Sequence, residues 1–310
     1  MMTLPLFKRL QARFVERPLP DAVFALAPGY LSGLRVLARG RAARERFILP
    51  FEASVLVPSF DRPNITDAPA VKAAIEAGQR ALGFGGGTIA LLMPEPCVRI
   101  FVLTADSLPG DETERDAFIR WRVGKQMPLL PEDLRMAYAP SSGPSARKII
   151  VATAREAVVR EYEDLFQSAG MAVGTVTVPS LSLVNLIGGA AGQNGVLLNI
   201  EADYLSFLAI MESEWTLYRH KGISPNLAAG AKADLVVQEV ENTVHFLEDK
   251  ERKKVERIWV RSGAGEDGPG ILSRLKSSLL LPAAVVDYAA PDEWDAQEKT
   301  ALAPLMGQLS

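Results

Sequence analysis

The sequence predicts an α/β protein with mixed sheets, helices over their faces and a cleft between two lobes. Its 310 residues correspond to about two domains, at roughly 150 residues per domain. Hydrophobic residues make up 48% of the chain and charged residues 23%, a composition that suits a packed core. A run of strands followed by helix and strand units occurs near both ends of the chain, which indicates an old duplication with almost no residue identity.

Strand patterns separated by glycines begin the first copy. They are expected at residues 23–27, 34–38, 46–51 and 54–57. A helix is expected over residues 70–82, because Val71, Ile75 and Leu82 recur at helical spacing, and a strand at 88–93 follows it.

A different order of elements separates the two copies. Strands are expected at 98–104, 134–139, 148–153 and 173–178, and helices at 111–127 and 154–169. This order, β-α-β-β-α-β, is that of a ferredoxin-like unit, which we expect to be inserted in the first lobe. A helix over 180–187 then leads to the second copy.

The second copy repeats the pattern of the first. Its strands are expected at 196–200, 205–211, 215–220, 257–260 and 283–286, and its helices at 231–249 and 271–279. The predicted segments are a first lobe with an N-terminal basic helix (1–97), an inserted unit (98–178), a crossing helix returning to the first lobe (179–195) and a second lobe (196–310).

Charge and cysteine content exclude several classes of protein. With 34 basic and 37 acidic residues, the chain has no excess of positive charge, which argues against a nucleic-acid binder. A single cysteine, Cys97, excludes an intrachain disulfide and suits a reducing compartment. No charged residue occurs over 165–200, but Pro179 and several glycines divide this stretch into pieces too short to span a membrane.

The N-terminal residues 1–17 alternate Lys8, Arg9, Arg13 and Arg17 with apolar residues. This pattern is not a secretory signal, because it contains no continuous apolar block. An ordinary surface helix is the favoured interpretation, and a basic amphipathic helix on an anionic membrane is the alternative.

Short motifs give little support for catalysis. The glycines of residues 83–87 leave a helix and enter a strand, which is the wrong context for a phosphate loop. Ser262, Gly263, Ala264 and Gly265 follow a strand and open a helix, so they suit either a nucleotide contact or a tight turn. His220 and His245 are too far apart in sequence for a metal site. We expect no metal and no catalytic residue.

Three stretches carry a resemblance to a known family. They are residues 116–139 with the run QMPLLPEDL, residues 148–184 ending in VPSLSL, and residues 255–271 with VERIWV before the glycine turn. Over about residues 20–310 the chain resembles the PilM family of type IV pilus assembly proteins, and more distantly the cytoplasmic part of the type II secretion L protein. The resemblance implies an actin-like (ASKHA, RNase H-like) fold with an inserted ferredoxin-like βαββαβ subdomain, and an adenosine contact at 262–265.

Actin-like proteins also hold phosphate with two hairpins that contain an aspartate, a glycine and small hydroxyl residues. The first hairpin would lie at residues 27–32, where Gly29 and Ser32 remain but the acid is missing and a proline removes an amide donor. The second would lie at 199–206, where Ser206 remains but Asn199 replaces the acid, Glu201 stands at the glycine position and Tyr204 takes a hydroxyl position. An added carboxylate costs about 1 kcal/mol or more beside phosphate. We therefore expect weak or absent binding of ATP and magnesium, and no required cofactor.

The resemblance implies a non-catalytic scaffold, a pseudo-ATPase, peripheral to the cytoplasmic face of a bacterial inner membrane. It would bind the N-terminal tail of a PilN-like membrane protein in a groove between the first lobe and the inserted unit, beside other components of the assembly platform. An ATP-binding or ATP-hydrolysing actin-like protein is the alternative, with Glu201 or Asp203 as candidate acids. A secretion-system component is a third possibility, attached to the membrane through a partner or through residues 1–17.

Overall fold

The computed structural model describes residues 20–36, 43–127, 129–140, 148–187 and 193–309. The expected N-terminal basic helix and most of the expected turn after residue 140 lie outside the described residues. None of the described helices is both long enough and apolar enough to cross a membrane.

The described residues form thirteen strands and seven α-helices. The strands are β1 (Ala22–Ala27), β2 (Tyr30–Val36), β3 (Ala43–Pro50), β4 (Gly87–Leu92), β5 (Arg99–Thr104), β6 (Leu134–Pro140), β7 (Lys148–Arg155), β8 (Met171–Thr177), β9 (Gly195–Ile200), β10 (Tyr204–Met211), β11 (Glu214–Gly222), β12 (Arg257–Ser262) and β13 (Ala283–Val285). The helices are α1 (Ala68–Ala81), α2 (Glu112–Gln126), α3 (Glu156–Ser168), α4 (Pro179–Ile187), α5 (Ala229–Glu251), α6 (Gly268–Ser278) and α7 (Ala296–Gly307).

The first lobe has a five-stranded sheet in the order β3-β2-β1-β4-β8. All six residues of β1 are buried, because helices cover both faces of the sheet. Successive residues of a strand point to opposite faces. Phe24 therefore joins the large core that includes α1 and α3, and its ring lies 5.3 Å from that of Phe166. Val23 joins a smaller core on the other face.

The pairing of β8 corrects one part of the expected inserted unit. β8 pairs in parallel with β4 of the first sheet, and the inserted sheet contains three strands in the order β5-β7-β6. Gly174 allows this close pairing, since a Cβ atom there would lie 2.6 Å from the Thr88 methyl carbon. The inserted sheet is therefore βαββ in order, not βαββαβ. The expected boundaries at residues 97 and 195 stay predictions.

The inserted sheet carries α2 on one face. Ile119 and Val123 of α2 pack with Leu103, Ile149 and Val151 of the sheet. Asp111 begins the helix, because its carboxylate accepts a hydrogen bond from the Glu114 amide at 3.0 Å. This arrangement leaves the opposite face of α2 on the outside of the molecule.

The second lobe repeats the topology of the first. Its sheet has the order β11-β10-β9-β12-β13, which matches the first sheet strand for strand. Helices α5 and α6 cover one face, where Val240, Leu247 and Leu275 are fully buried. The shared strand order agrees with the duplication predicted from the sequence.

Two elements differ from the expectations. The predicted strand at 54–57 is a short 3-10 turn (Ala53–Val55) followed by an isolated bridge between Leu56 and Ile65. Helix α7 was not expected, and it returns to the first lobe, where Leu302 and Leu305 pack on the sheet beside Val23. Residues 296–307 thus do not belong to the second lobe alone.

Candidate functional site

The turns of two equivalent hairpins meet between the lobes. The β1–β2 turn ends at Tyr30, and the β9–β10 turn begins at Glu201. The Tyr30 hydroxyl donates to the Glu201 carboxylate, with its oxygen 3.0 Å from Oε1 and 3.2 Å from Oε2. Glu201 is only 1% exposed, so protein atoms fill the space between the turns.

Arg261 on β12 completes this contact. Its guanidinium forms an ion pair with Glu201 and donates to the Tyr30 hydroxyl at 3.0 Å and to Asn199 Oδ1 at 2.9 Å. Two carbonyl oxygens of α7, those of Thr300 and Ala301, lie at 3.2 and 2.9 Å from it. These partners satisfy a cation that is 2% exposed. We call Tyr30, Glu201 and Arg261 the buried triad.

Burial and charge act on the triad in opposite directions. Burial by itself lowers the pKa of Arg261, but Glu201 and Tyr30 raise it, and the net shift is upward. Burial raises the pKa of Tyr30, so its hydroxyl keeps its proton. The triad therefore contains one cation, one anion and one neutral hydrogen-bond donor.

Of the remaining hairpin residues named from the sequence, Ser32, Asn199 and Ser206 are buried and Gly29 is partly buried, and the four do not form one site. Ser206 Oγ lies 2.8 Å from Ser180 Oγ and accepts from the Asn199 amide at 3.4 Å. Ser32 is fully buried, and its hydroxyl has no hydrogen-bond partner among the described residues. Gly29 adopts a left-handed φ of 88° in the first turn, and its carbonyl accepts from the amide of Phe51 at 2.9 Å.

The glycine turn at Ser262, Gly263, Ala264 and Gly265 lies beside the second hairpin. The Gly263 amide donates to the Ile200 carbonyl at 2.8 Å. A Cβ atom on Gly263 would lie 2.1 Å from Glu201 Oε2, so the triad itself requires glycine there. Gly265 has a φ of 83°, which also favours glycine. The turn needs no nucleotide to explain its glycines.

Lys232 of α5 closes the other side of the second hairpin. Its ammonium donates to the carbonyls of Glu201 at 2.8 Å and Ala202 at 3.2 Å, and it pairs with Glu266 at 2.5 Å. Asp203 lies next to this lysine. Burial, with Glu201 and Glu266 nearby, raises the pKa of Asp203 to about 6.

The cations beside the second hairpin are already paired. Arg261 forms an ion pair with Glu201, and Lys232 forms one with Glu266. Phosphate sites in proteins present amide donors and cations to the ligand, whereas a buried carboxylate lies between these two hairpins. The described residues contain no group of three His, Cys, Asp or Glu side chains that could hold a metal ion.

A second buried contact links the lobes through Glu95. The carboxylate of this first-lobe residue accepts from the Ser180 amide of α4 at 2.7 Å and from the Tyr218 hydroxyl of the second lobe. Burial raises the pKa of Glu95. Sequence reasoning missed Glu95, Arg261 and Lys232. A charged residue within the apolar run IWVRS was the available signal for Arg261.

A shallow groove follows α1 and α3 on the surface of the first lobe. It contains a cavity of about 550 Å³ whose lining includes Ile65, Pro69, Leu165, Asp164 and Ser168. A second hollow of about 560 Å³ shares Ser168 and extends towards the glycine turn after α1. We call this surface the α1–α3 groove. It combines an apolar floor with charged edges.

Comparison with known proteins identifies the fold. No protein-family profile matches the sequence, and no curated protein is similar to it. The structure is similar to a solved PilM-PilN type IV pilus biogenesis complex, with a TM-score of 0.78 at 14% identity, over 94% of this chain and 98% of that one. The predicted actin-like fold is confirmed.

Two further solved structures support the same fold. A protein of unknown function with an actin-like ATPase fold, from Bacteroides thetaiotaomicron, has a TM-score of 0.54 at 8% identity, over 93% of this chain and 96% of that one. The ethanolamine utilization protein EutJ from Carboxydothermus hydrogenoformans has a TM-score of 0.51 at 10% identity, over 94% and 89%. The predicted resemblance to PilM thus holds at the level of the fold.

Proposed function

We propose that this protein is a PilM-like scaffold of a type IV pilus or related secretion platform, with a degenerate nucleotide cleft. It would lie in the cytoplasm, peripheral to the inner membrane, and bind the cytoplasmic N-terminal tail of a PilN-like membrane protein together with other platform components. The buried triad is the observation that carries this proposal, because it fills the space between the hairpins with residues that satisfy one another.

Electrostatics supports the expectation of weak or absent ATP binding. A phosphate group at the second hairpin would lie close to the Glu201 carboxylate. Two like charges 4 Å apart repel by about 4 kcal/mol at an effective dielectric constant near 20. Moving Glu201 aside would leave Arg261 without its carboxylate partner. The two described cations beside this point, Arg261 and Lys232, already have carboxylate partners and so do not offset either cost.

A titration experiment tests the nucleotide half of the proposal. Calorimetry with ATP and with ADP, each with and without magnesium, is expected to give no binding at concentrations up to about 1 mM. Micromolar affinity in the presence of magnesium would refute it. Glu201→Gly serves as a comparison, because it removes the carboxylate from the second hairpin.

The α1–α3 groove supports the partner half of the proposal. Extended tails are recognised by apolar pockets for their side chains rather than by catalytic groups. Ile65, Pro69 and Leu165 supply such a floor, and α3 directly follows the last strand of the inserted sheet. The Asp164 carboxylate at the edge favours a tail that carries a basic residue.

Peptide binding tests this site directly. A synthetic N-terminal tail of a PilN-like protein from the same organism is expected to bind this protein. Ser168→Trp fills the groove and should abolish binding, whereas Gln167→Trp, an exposed neighbour that does not line the groove, should not. If both variants bind the peptide equally well, the tail binds at another surface.

An ATP-hydrolysing actin-like protein is the second candidate, and Asp203 is the residue that favours it. One oxygen of its carboxylate is buried without a hydrogen-bond partner among the described residues, and its pKa is raised to about 6. A carboxyl group that titrates near neutral pH suits general acid or base catalysis. Full activity of pili or secretion after Glu201→Ala and Asp203→Ala together would exclude this function.

A further inference from the structure

The outward face of α2 and the loop that follows it expose large apolar side chains to solvent. Trp121 is 53% exposed, and Leu129, just after the helix, is 90% exposed. The Phe118 ring, which is partly buried, lies 6.1 Å from that of Trp121. Trp215, Trp259 and Trp294, the other three tryptophans, are all buried. Trp121 is therefore the one exposed tryptophan, and Phe246 of α5, 48% exposed, is the other large aromatic side chain on the described surface.

Basic residues surround these apolar side chains. Between the exposed acidic residues Asp116 and Glu132, the chain contains Arg120, Arg122 and Lys125 and no carboxylate side chain. The Lys125 ammonium lies 4.1 Å from the centre of the Trp121 ring. Arg120 and Arg122 donate to the carbonyls of Leu134 and Thr104, at 3.4 and 2.5 Å. Among the described residues, no carboxylate forms an ion pair with any of these three cations.

We propose that the outward face of α2, with Trp121, Leu129, Arg120 and Lys125, docks on an anionic lipid bilayer. This inference rests on the peripheral membrane association in the proposed function and names the surface responsible. Tryptophan rings and leucines enter the interfacial layer, while adjacent lysines and arginines contact acidic headgroups. The inserted unit would then face the membrane.

The arrangement favours lipid over an acidic protein partner. The apolar groups are a side chain on a helix and one on the following loop, and no carboxylate of the described residues pairs with the cations beside them, which suits insertion to a shallow depth. An acidic polypeptide would satisfy the cations but would leave Leu129 in water. A bilayer accommodates both, because its headgroups carry charge and its acyl boundary is apolar.

Tryptophan fluorescence of the full-length protein tests this docking. Trp121 is the one exposed tryptophan, so vesicles of phosphatidylcholine with 30% phosphatidylglycerol are expected to shift the emission to shorter wavelength and protect it from acrylamide. Pure phosphatidylcholine vesicles should give a much weaker effect. Each basic group near the surface contributes roughly fivefold to the binding constant. Arg120→Gln with Lys125→Gln should thus weaken sedimentation with anionic vesicles by roughly twenty-five-fold.

Matched variants separate this surface from others. Lys254→Gln with Lys276→Gln removes two exposed charges from the second lobe, and Leu280→Ser removes an apolar side chain that is fully exposed there. Both should bind like the parent protein, whereas Trp121→Ala with Leu129→Ser should lose at least tenfold. Circular dichroism and thermal melting check that each variant is folded.

Three results would overturn the inference. The α2 variants could bind vesicles like the parent protein, or binding could depend on Lys8, Arg9, Arg13 and Arg17 instead. Alternatively, soluble polyglutamate could produce the Trp121 shift while vesicles do not, which would assign the surface to an acidic protein. Tail binding at the α1–α3 groove is measured without lipid, so failure of this inference and failure of the proposed partner are distinguishable.

Discussion

Replacing Arg261 with methionine removes the cation from the buried triad and keeps a side chain of similar length. Glu201 would still accept from the Tyr30 hydroxyl, 3.0 Å away, but it would lie 1% exposed without a counter-charge. Removal of one partner from a buried ion pair costs about 3–5 kcal/mol, because the remaining charge stays desolvated. That is a large part of the roughly 5–15 kcal/mol that stabilises a typical domain.

The double variant Arg261→Met with Glu201→Leu shows whether the loss of stability comes from an unpaired buried charge on Glu201 or from lost packing. Removing both charges leaves no desolvated ion, and such replacements are often nearly neutral. We therefore expect the double variant to be more stable than Arg261→Met. The surface pair Arg274 and Asp234 is the matched control. Its atoms are 2.7 Å apart and both side chains are more than half exposed, so Arg274→Met should cost less than about 1 kcal/mol.

Urea denaturation followed by circular dichroism, with thermal melting alongside, measures these differences. The single variant should lower the melting temperature by about 6–20 °C, at roughly 2–4 °C per kcal/mol for a domain of this size. A loss below about 1 kcal/mol for Arg261→Met would refute the argument. So would a double variant whose loss equals the sum of the two single losses, since the partners would then be independent.

Three further predictions concern single positions. Gly263→Ala should cost about 1–3 kcal/mol in urea, because its Cβ would meet Glu201 Oε2 at 2.1 Å, and the same substitution should cost less when it is made in a Glu201→Ala variant than in the parent protein. Gly124→Ala, in a helical position with open space around it, should stabilise by about 0.5–1 kcal/mol in the same assay; destabilisation would contradict the described packing. Burial and the charge of Arg99 lower the pKa of His220 to about 4, so the folded protein binds fewer protons than the unfolded chain between about pH 6.5 and 4. Stability should fall as pH falls through that window, and His220→Gln should flatten the profile of melting temperature against pH; an unchanged slope would exclude His220.

Local patterns predicted most elements but not their partners in space. The spacing of apolar residues predicts helices α1, α2 and α5. Their observed bounds lie within a few residues of the expected ones. The apolar pattern does not show which sheet a strand joins. The residues of β8 suit pairing with the inserted sheet as well as with β4, the strand with which β8 pairs. Helix α7 was not predicted because it contains Pro304, although Asp295 and Glu298 form a capping box that marks its start.

The candidate site illustrates the same limit. Glu201 could be recognised as a departure from a phosphate hairpin, but its partner lies 60 residues away on another strand. The parallel pairing of β9 with β12, which sets Arg261 opposite Asn199, brings the charge into the cleft. The contact with Tyr30 spans 171 residues and both lobes. Such contacts depend on tertiary arrangement, which a single sequence does not specify.

The return of α7 to the first lobe has a consequence for synthesis of the chain. One face of the first sheet, with Val23 and Leu92, is covered by Trp294, Leu302 and Leu305. A ribosome adds about 5–20 residues per second, so roughly 10 s or more separate the first strand from the helix that covers it. During that interval the nascent first lobe exposes an apolar sheet face. Chaperones that hold nascent chains would bind this exposed face. Leu302→Asp would leave the same face uncovered in the folded protein.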